Sequence, residues 1–149
     1  MAQANLPPNK QFPGLTGLGK VTTQWGGSTN YEKFHPAIDI ANAKGTPIQA
    51  PVSGTVVGAV SGKVQGDAAY GNSVRIKDAN GNSHNLGHLD QTMVKPGQAI
   101  TQGMQIGTMG NSGAAYSPSG KGDGTHLDYR IVTAFGRYQN PQPYLKHLS

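Results

Sequence analysis

The sequence predicts a mainly β, single-domain protein of short strands, closed by one short helix at the C-terminus. Three observations predict it. Glycine and proline are frequent, 22 and 10 of 149 residues, and they cut the chain into short extended runs instead of long helices. Thr125 to Ile131 alternates, with Leu127, Tyr129 and Ile131 on one side and His126, Asp128 and Arg130 on the other. That is a strand with an apolar face toward the core and a polar face turned outward. Asn80-Gly81, set between two further extended runs, is a strong hairpin signal. The length suits one domain with a real hydrophobic core.

In chain order, residues 1–19 are rich in Gln, Asn, Pro and Gly and read as an irregular arm wrapping a domain that runs from 20 to 149. Lys20 to Trp25, with β-branched and aromatic residues, is the first strand. Gly26 to Asn30 form a loop, Phe34 to Ala41 a short strand or extended piece, and Asn42 to Gly45 a turn. Thr46 to Val60 gives two strands, broken at Pro51 and Gly54. Asn72 to Asp78 and Asn82 to Leu89 are the two arms of the Asn80-Gly81 hairpin. Val94 to Gly103 and Gln105 to Gly110 are short strands joined at glycines. A long polar loop, Asn111 to Gly124, leads into the alternating strand. Pro141 to Leu148 is helical, with a proline near its start.

Composition narrows the function. The net charge of +5 suits an anionic partner such as nucleic acid, a membrane or a cell-wall polymer. No run of Lys or Arg occurs and no aromatic-interleaved basic patch, so nucleic acid is not expected as a partner. Cysteine is absent, which removes disulfides, thiolate nucleophiles and cysteine zinc sites together. No apolar run is long enough for a membrane span, and the N-terminus lacks a charged-then-apolar signal pattern. Met1-Ala2 followed by polar, Pro-rich sequence reads as a domain of a larger protein, or one exported by other means.

Five histidines, six aspartates and one glutamate carry the available chemistry. The helical zinc-protease motif H-E-x-x-H is absent, so a hydrolytic base must be a histidine or an aspartate. His35 and Asp39 are four apart on a segment that Pro36 keeps from being helical, which puts them roughly on one face. Imidazole and carboxylate are both ordinary zinc ligands, and a third ligand from the 126–128 strand leaves a position open for water. His84 reads as a polar residue of its hairpin strand, and His147 as an exposed residue near a helix end. Arg130 is either a solvent-facing charge or a substrate contact. A serine triad has no G-x-S-x-G elbow to sit on.

Taken together and in order, the segments resemble one family. Phe34-His35-Pro36-Ala37-Ile38-Asp39-Ile40-Ala41 comes first, followed by Gly45 to Val56. Leu86-Gly87-His88-Leu89, Val94-Lys95-Pro96-Gly97-Gln98, Gly103 with Ile106-Gly107, and Gly110-Asn111-Ser112-Gly113 follow. Thr125 to Ile131 closes the set. Over roughly residues 20 to 147 the chain is similar to the lysostaphin-type (LytM-like) zinc endopeptidases. The resemblance implies antiparallel β-sheets with a groove at one end, lined by loops around Trp25–Phe34 and Asn111–Gly124. It implies peptidoglycan peptides as substrate and partner, with His35 and Asp39 as metal ligands. His88 and His126 would flank the reacting centre as catalytic residues.

One departure from the family bears on the chemistry. Its third ligand is the second histidine of H-x-H, and here that position is Asp128. A carboxylate still binds zinc, giving a set of His35, Asp39 and Asp128. Two anionic ligands weaken the Lewis acidity of the ion and favour a harder metal such as manganese. Ala37 stands where the family has glycine. The leading expectation is thus a metal-dependent peptidoglycan endopeptidase, located at the cell wall or outside the cell, or on a virion as part of a larger assembly. The alternative is a catalytically impaired domain that binds cell wall or serves as a structural module. A lipoyl- or biotinyl-type carrier, suggested by Ala50 to Val56, fails because no lysine flanked by methionines stands at a hairpin tip.

Overall fold

The computed structural model describes residues 17–27, 33–60, 71–112 and 124–148. Most of the expected N-terminal arm, and the centres of the loops expected to line a groove, lie outside the described residues. Among the described residues ten strands form one antiparallel sheet system: β1 (Lys20–Thr23), β2 (Ile38–Ala41), β3 (Pro47–Gln49), β4 (Gly54–Val60), β5 (Asn72–Lys77), β6 (Ser83–Thr92), β7 (Ala99–Ile100), β8 (Gln105–Met109), β9 (Leu127–Val132) and β10 (Tyr138–Gln139). The main order is β1-β2-β9-β6-β5-β4-β7. Strand β10 pairs with β9, and β8 pairs with both β3 and β6.

Alternation decides which side chains form the core. Leu127, Tyr129 and Ile131 of β9 are fully buried, as are Ile40 of β2, Val74 and Ile76 of β5, and Leu86 of β6. Leu18, just before β1, joins the same apolar cluster. Some element ends differ from expectation for local reasons. Strand β1 stops at Thr23, because Gly27 N donates to Gln24 O in a tight turn that Gly26 completes at φ 80°. Strand β2 begins only at Ile38, after the irregular residues up to Pro36 and Ala37. The C-terminal helix, Gln142–His147, is 3₁₀. Its bonds reach three residues back, Tyr144 N–H donating to Pro141 O (2.9 Å) and Leu148 N–H to Leu145 O (3.0 Å).

The β5–β6 hairpin is tied at its tip by Asp78. Its Oδ1 accepts from the backbone N–H groups of Asn80 (2.9 Å) and Asn82 (3.0 Å), and Gly81 takes φ 83°. The reading of His84 as an ordinary polar strand residue is corrected here, since the side chain is 0 % exposed. It shares the inward parity of Leu86, which is the signal that could have placed it. Its Nε2 lies 2.9 Å from Asp78 Oδ2 and its Nδ1 lies 2.7 Å from the Tyr129 hydroxyl. An ionised carboxylate only accepts, so Nε2–H donates to Asp78 and Nδ1 accepts from Tyr129. Tyr144 of the 3₁₀ helix packs edge-on against the His84 ring, with centroids 4.9 Å apart. The network joins hairpin tip, central strand and C-terminal helix.

Burial pushes the imidazole of His84 below its ordinary value of 6.5, against the pull of Asp78. Burial pushes the Asp78 carboxyl up, but hydrogen bonds from His84, Asn82 and Asn80 outweigh it and leave it below the ordinary carboxylate range. Replacing His84 strands the Tyr129 hydroxyl and opens a cavity. His84→Ala is therefore expected to lower the unfolding free energy by about 3 kcal/mol, as checked by urea denaturation. With its folded value depressed, the His84 contribution is complete above the unfolded value and lost as pH falls below it. The urea midpoint should therefore drop between about pH 7.5 and 5.5, and drop less in His84→Ala.

Candidate metal centre

The sheet order creates the site. Strand β9 arrives late in the chain and inserts between β2 and β6, so residues from three distant segments become neighbours. Across the strands Asp39 lies opposite Asp128, and Asp128 opposite Gly87, which precedes His88. His35 sits just before β2. It is fixed by its backbone, its N–H donating to Gly27 O (2.8 Å) and its carbonyl accepting from Gly26 N–H (2.9 Å).

His35, Asp39 and Asp128 are 4 %, 9 % and 4 % exposed. Each offers one ligand atom, and these atoms all lie within 4.8 Å of one another. His35 Nε2 is 3.1 Å from Asp39 Oδ1. Buried Asp39 Oδ1 makes no hydrogen bond among the described residues. A buried carboxylate oxygen left in that state is costly unless a cation meets it. One imidazole nitrogen and two carboxylates fit zinc, and the oxygen-rich set fits manganese as well. The residues present therefore suit a divalent ion.

Asp128 does not lie on an outward-turned polar face, as alternation alone predicted. Strands β2 and β6 flank it on both sides, and Arg130 folds back onto it. Arg130 Nε donates to Oδ1 at 2.9 Å and Nη2 to Oδ2 at 2.6 Å. Of the two sequence readings for Arg130, solvent-facing charge or substrate contact, neither included this pairing.

His88 and His126 come together beside the carboxylates, with ring centroids 4.7 Å apart. His88 sits in a β-bulge. Between the pairs Val74–Leu86 and Asn72–Leu89, the single residue Ser73 faces both Gly87 and His88. His88 adopts φ 62°, the one positive value among described non-glycine residues. Bulges re-aim side chains at a sheet rim, and strained backbone of this kind gathers at functional sites. Ser112 holds the arrangement: its carbonyl lies 2.8 Å from His88 Nδ1, and its hydroxyl donates to Leu89 O and accepts from Asn72 N–H. His126 Nδ1 lies 2.7 Å from Gly124 O. Carbonyls only accept, so each ring donates from Nδ1, and in its neutral form each carries its lone pair on Nε2. His126 Nε2 is 3.9 Å from Asp39 Oδ1. Burial lowers the His88 imidazole below its ordinary value, and the neighbouring His126 adds to this against the pull of its Ser112 bond.

Backbone packing keeps His126 in place. His126 N–H donates to Gly110 O, and Gly110 lies against β6 so closely that a Cβ there would fall 2.4 Å from Asp90 N. The remaining histidine, His147, lies apart from the cluster, within 2.8 Å of Gln102 Nε2.

Comparison with known proteins agrees with this architecture. The family model for Peptidase family M23 matches residues 33–141. The peptidoglycan DD-endopeptidase ShyC of Vibrio cholerae is 32 % identical over 118 residues, covering 76 % of this chain and 25 % of ShyC. The murein hydrolase activator NlpD of Escherichia coli is 33 % identical over 129 residues, covering 85 % of this chain and 29 % of NlpD. The chain therefore spans under a third of the length of these relatives. The catalytic domain of lysostaphin from Staphylococcus simulans superposes with a TM-score of 0.70 at 24 % identity, over 86 % of this chain and 92 % of that one. The mainly β, lysostaphin-type fold is thereby established.

The carbonyl contacts of the two rings lead to a spectroscopic expectation. In their neutral forms, ring ¹⁵N shifts of His88 and His126 should both report Nδ1–H and an unprotonated Nε2. Nε2–H on either ring would contradict the hydrogen bonds described.

Proposed function

Because the chain belongs to peptidase family M23, we propose that it is a metal-dependent endopeptidase that hydrolyses peptide bonds of bacterial peptidoglycan. The observation that carries this reading is the convergence of His35, Asp39 and Asp128 within 4.8 Å, beside the His88–His126 pair. In this reading His35, Asp39 and Asp128 hold zinc, with manganese as the alternative ion. The ion would supply Lewis acidity for a scissile carbonyl and an attacking water.

The chain's own groups do the rest. His126, with its Nε2 lone pair near Asp39, is the group to take a proton from the attacking water. His88, neutral and locked by Ser112, holds a second Nε2 lone pair next to it, able to accept a hydrogen bond from the attacking water and to share in passing the proton on to the leaving amine. Burial of both carboxylates keeps competing water from the centre and strengthens every charge interaction there. The working domain is taken as residues 20–149, with 1–19 as an arm. Its place of action is the cell wall, reached from outside the cell or from a virion, since the substrate lies there. No helix among the described residues is long and apolar enough to cross a membrane.

A second reading is a domain that binds cell wall or serves as a structural module without cutting it. Two features favour it: Asp128 stands where the family has a histidine as its third ligand, and the similar NlpD is named an activator. The test is release of soluble fragments from purified peptidoglycan. Zinc-loaded protein should release them, chelator should abolish release, and His88→Ala should slow it by about 10²- to 10⁴-fold. Zinc-loaded wild type and His88→Ala that both leave peptidoglycan intact would overturn hydrolysis. Co-sedimentation with the polymer would then support the binding reading.

A further inference from the structure

We propose that Asp128 and Arg130 act as one charge-compensated donor, with Arg130 as a positioning residue that returns the metal centre to the charge of a site with a single carboxylate. The inference rests on the metal-centre reading above and concerns how this chain tolerates aspartate at position 128.

The need for compensation comes from the register. Asp39 and Asp128 lie directly opposite each other on β2 and β9, and both are buried. Like charges opposite one another across antiparallel strands are destabilising, and burial removes the water that would screen them. Arg130 answers from the same strand. It lies two residues beyond Asp128, on the same face, and makes two near-parallel contacts of 2.9 and 2.6 Å to the carboxylate. The side chains of the pair are only 11 % and 5 % exposed. Guanidinium suits the task because it stays charged and its planar fork matches a carboxylate, which an ammonium group does not.

The pairing leaves Asp128 able to serve a cation. An ionised carboxylate offers about four acceptor positions, two on each oxygen, and Arg130 uses one on each. One position per oxygen is left. With His35 neutral, Asp39 and Asp128 each carry a negative charge and Arg130 cancels one of them. The set then has the same net charge as one imidazole pair with a single carboxylate. Lewis acidity, which two uncompensated anionic ligands would blunt, is retained. Hydrogen bonds to a ligating group also fix its orientation.

Zinc affinity, measured by competition with a chromophoric chelator, tests the idea without recourse to activity. Four forms of the full chain are compared: wild type, Arg130→Gln, Asp128→His, and the double variant. Compensation orders them by site charge. Arg130→Gln should bind zinc more tightly than wild type, and Asp128→His more weakly, because its Arg130 loses its partner. The double variant should return to within about threefold of wild type. Each step should be about tenfold or more, the effect of one unit charge within a few ångströms of a doubly charged ion even at the dielectric of water. Circular dichroism confirms that each form is folded. Should Arg130→Gln fail to fold, Asp128→His against the double variant decides alone, and compensation requires the double variant to bind more tightly. Arg130→Gln binding more weakly than wild type, with zinc binding by wild type intact and lost in Asp39→Ala, would overturn compensation and leave Arg130 merely orienting Asp128. Wild type that binds no zinc overturns the metal-centre reading, and this proposal with it.

Discussion

Everything at the centre depends on β9 lying between β2 and β6. The pairings Asp39–Asp128 and Asp128–Gly87 set side chains from three remote stretches in one row. A one-residue slip of β9 would send Asp128 to the apolar side and Leu127 to the polar one. The buried trio Leu127, Tyr129 and Ile131 prevents that slip, because moving them out of the core would forfeit several kilocalories per mole of apolar burial. Hydrophobic alternation on one face therefore holds the chemistry of the other in register.

The two polar networks on this scaffold differ in kind. Around His84 every partner is supplied by the chain: Asp78 on one nitrogen, Tyr129 on the other, and Tyr144 against the ring. That network is closed and structural. Around Asp39 the chain stops short, leaving a buried oxygen 3.1 Å from an imidazole nitrogen. Closed networks add rigidity, whereas one left incomplete in a buried location is where a ligand is to be sought.

Much of this was readable from residues. Proline and glycine punctuation located the short strands, Asn80-Gly81 the hairpin, and the alternation in Thr125–Ile131 the face of β9. Residue type and spacing brought out His35, Asp39 and the 126–128 strand, and family resemblance added His88 and gave each residue its role. Three features were hidden for physical reasons. Sheet order depends on contacts far apart in sequence, which local pattern does not encode. The bulge at His88 depends on an unequal count of residues on two strands, of which only Gly87 gives any hint. The pairing of Arg130 with Asp128 was hidden because alternation reports which face a side chain is on and not whether that face is covered. His84 was a different failure: its shared parity with Leu86 marked it as inward, and its polarity masked the signal.

The position of β9 also bears on how the chain comes to be folded. A strand central in the sheet is made only after β1 to β8 have already emerged. Until it docks, β2 and β6 each present an open edge able to pair with another chain. Docking of β9 closes both edges and completes the row of His35, Asp39 and Asp128 together, so a chain ending before Leu127 is without that row and adhesive at once.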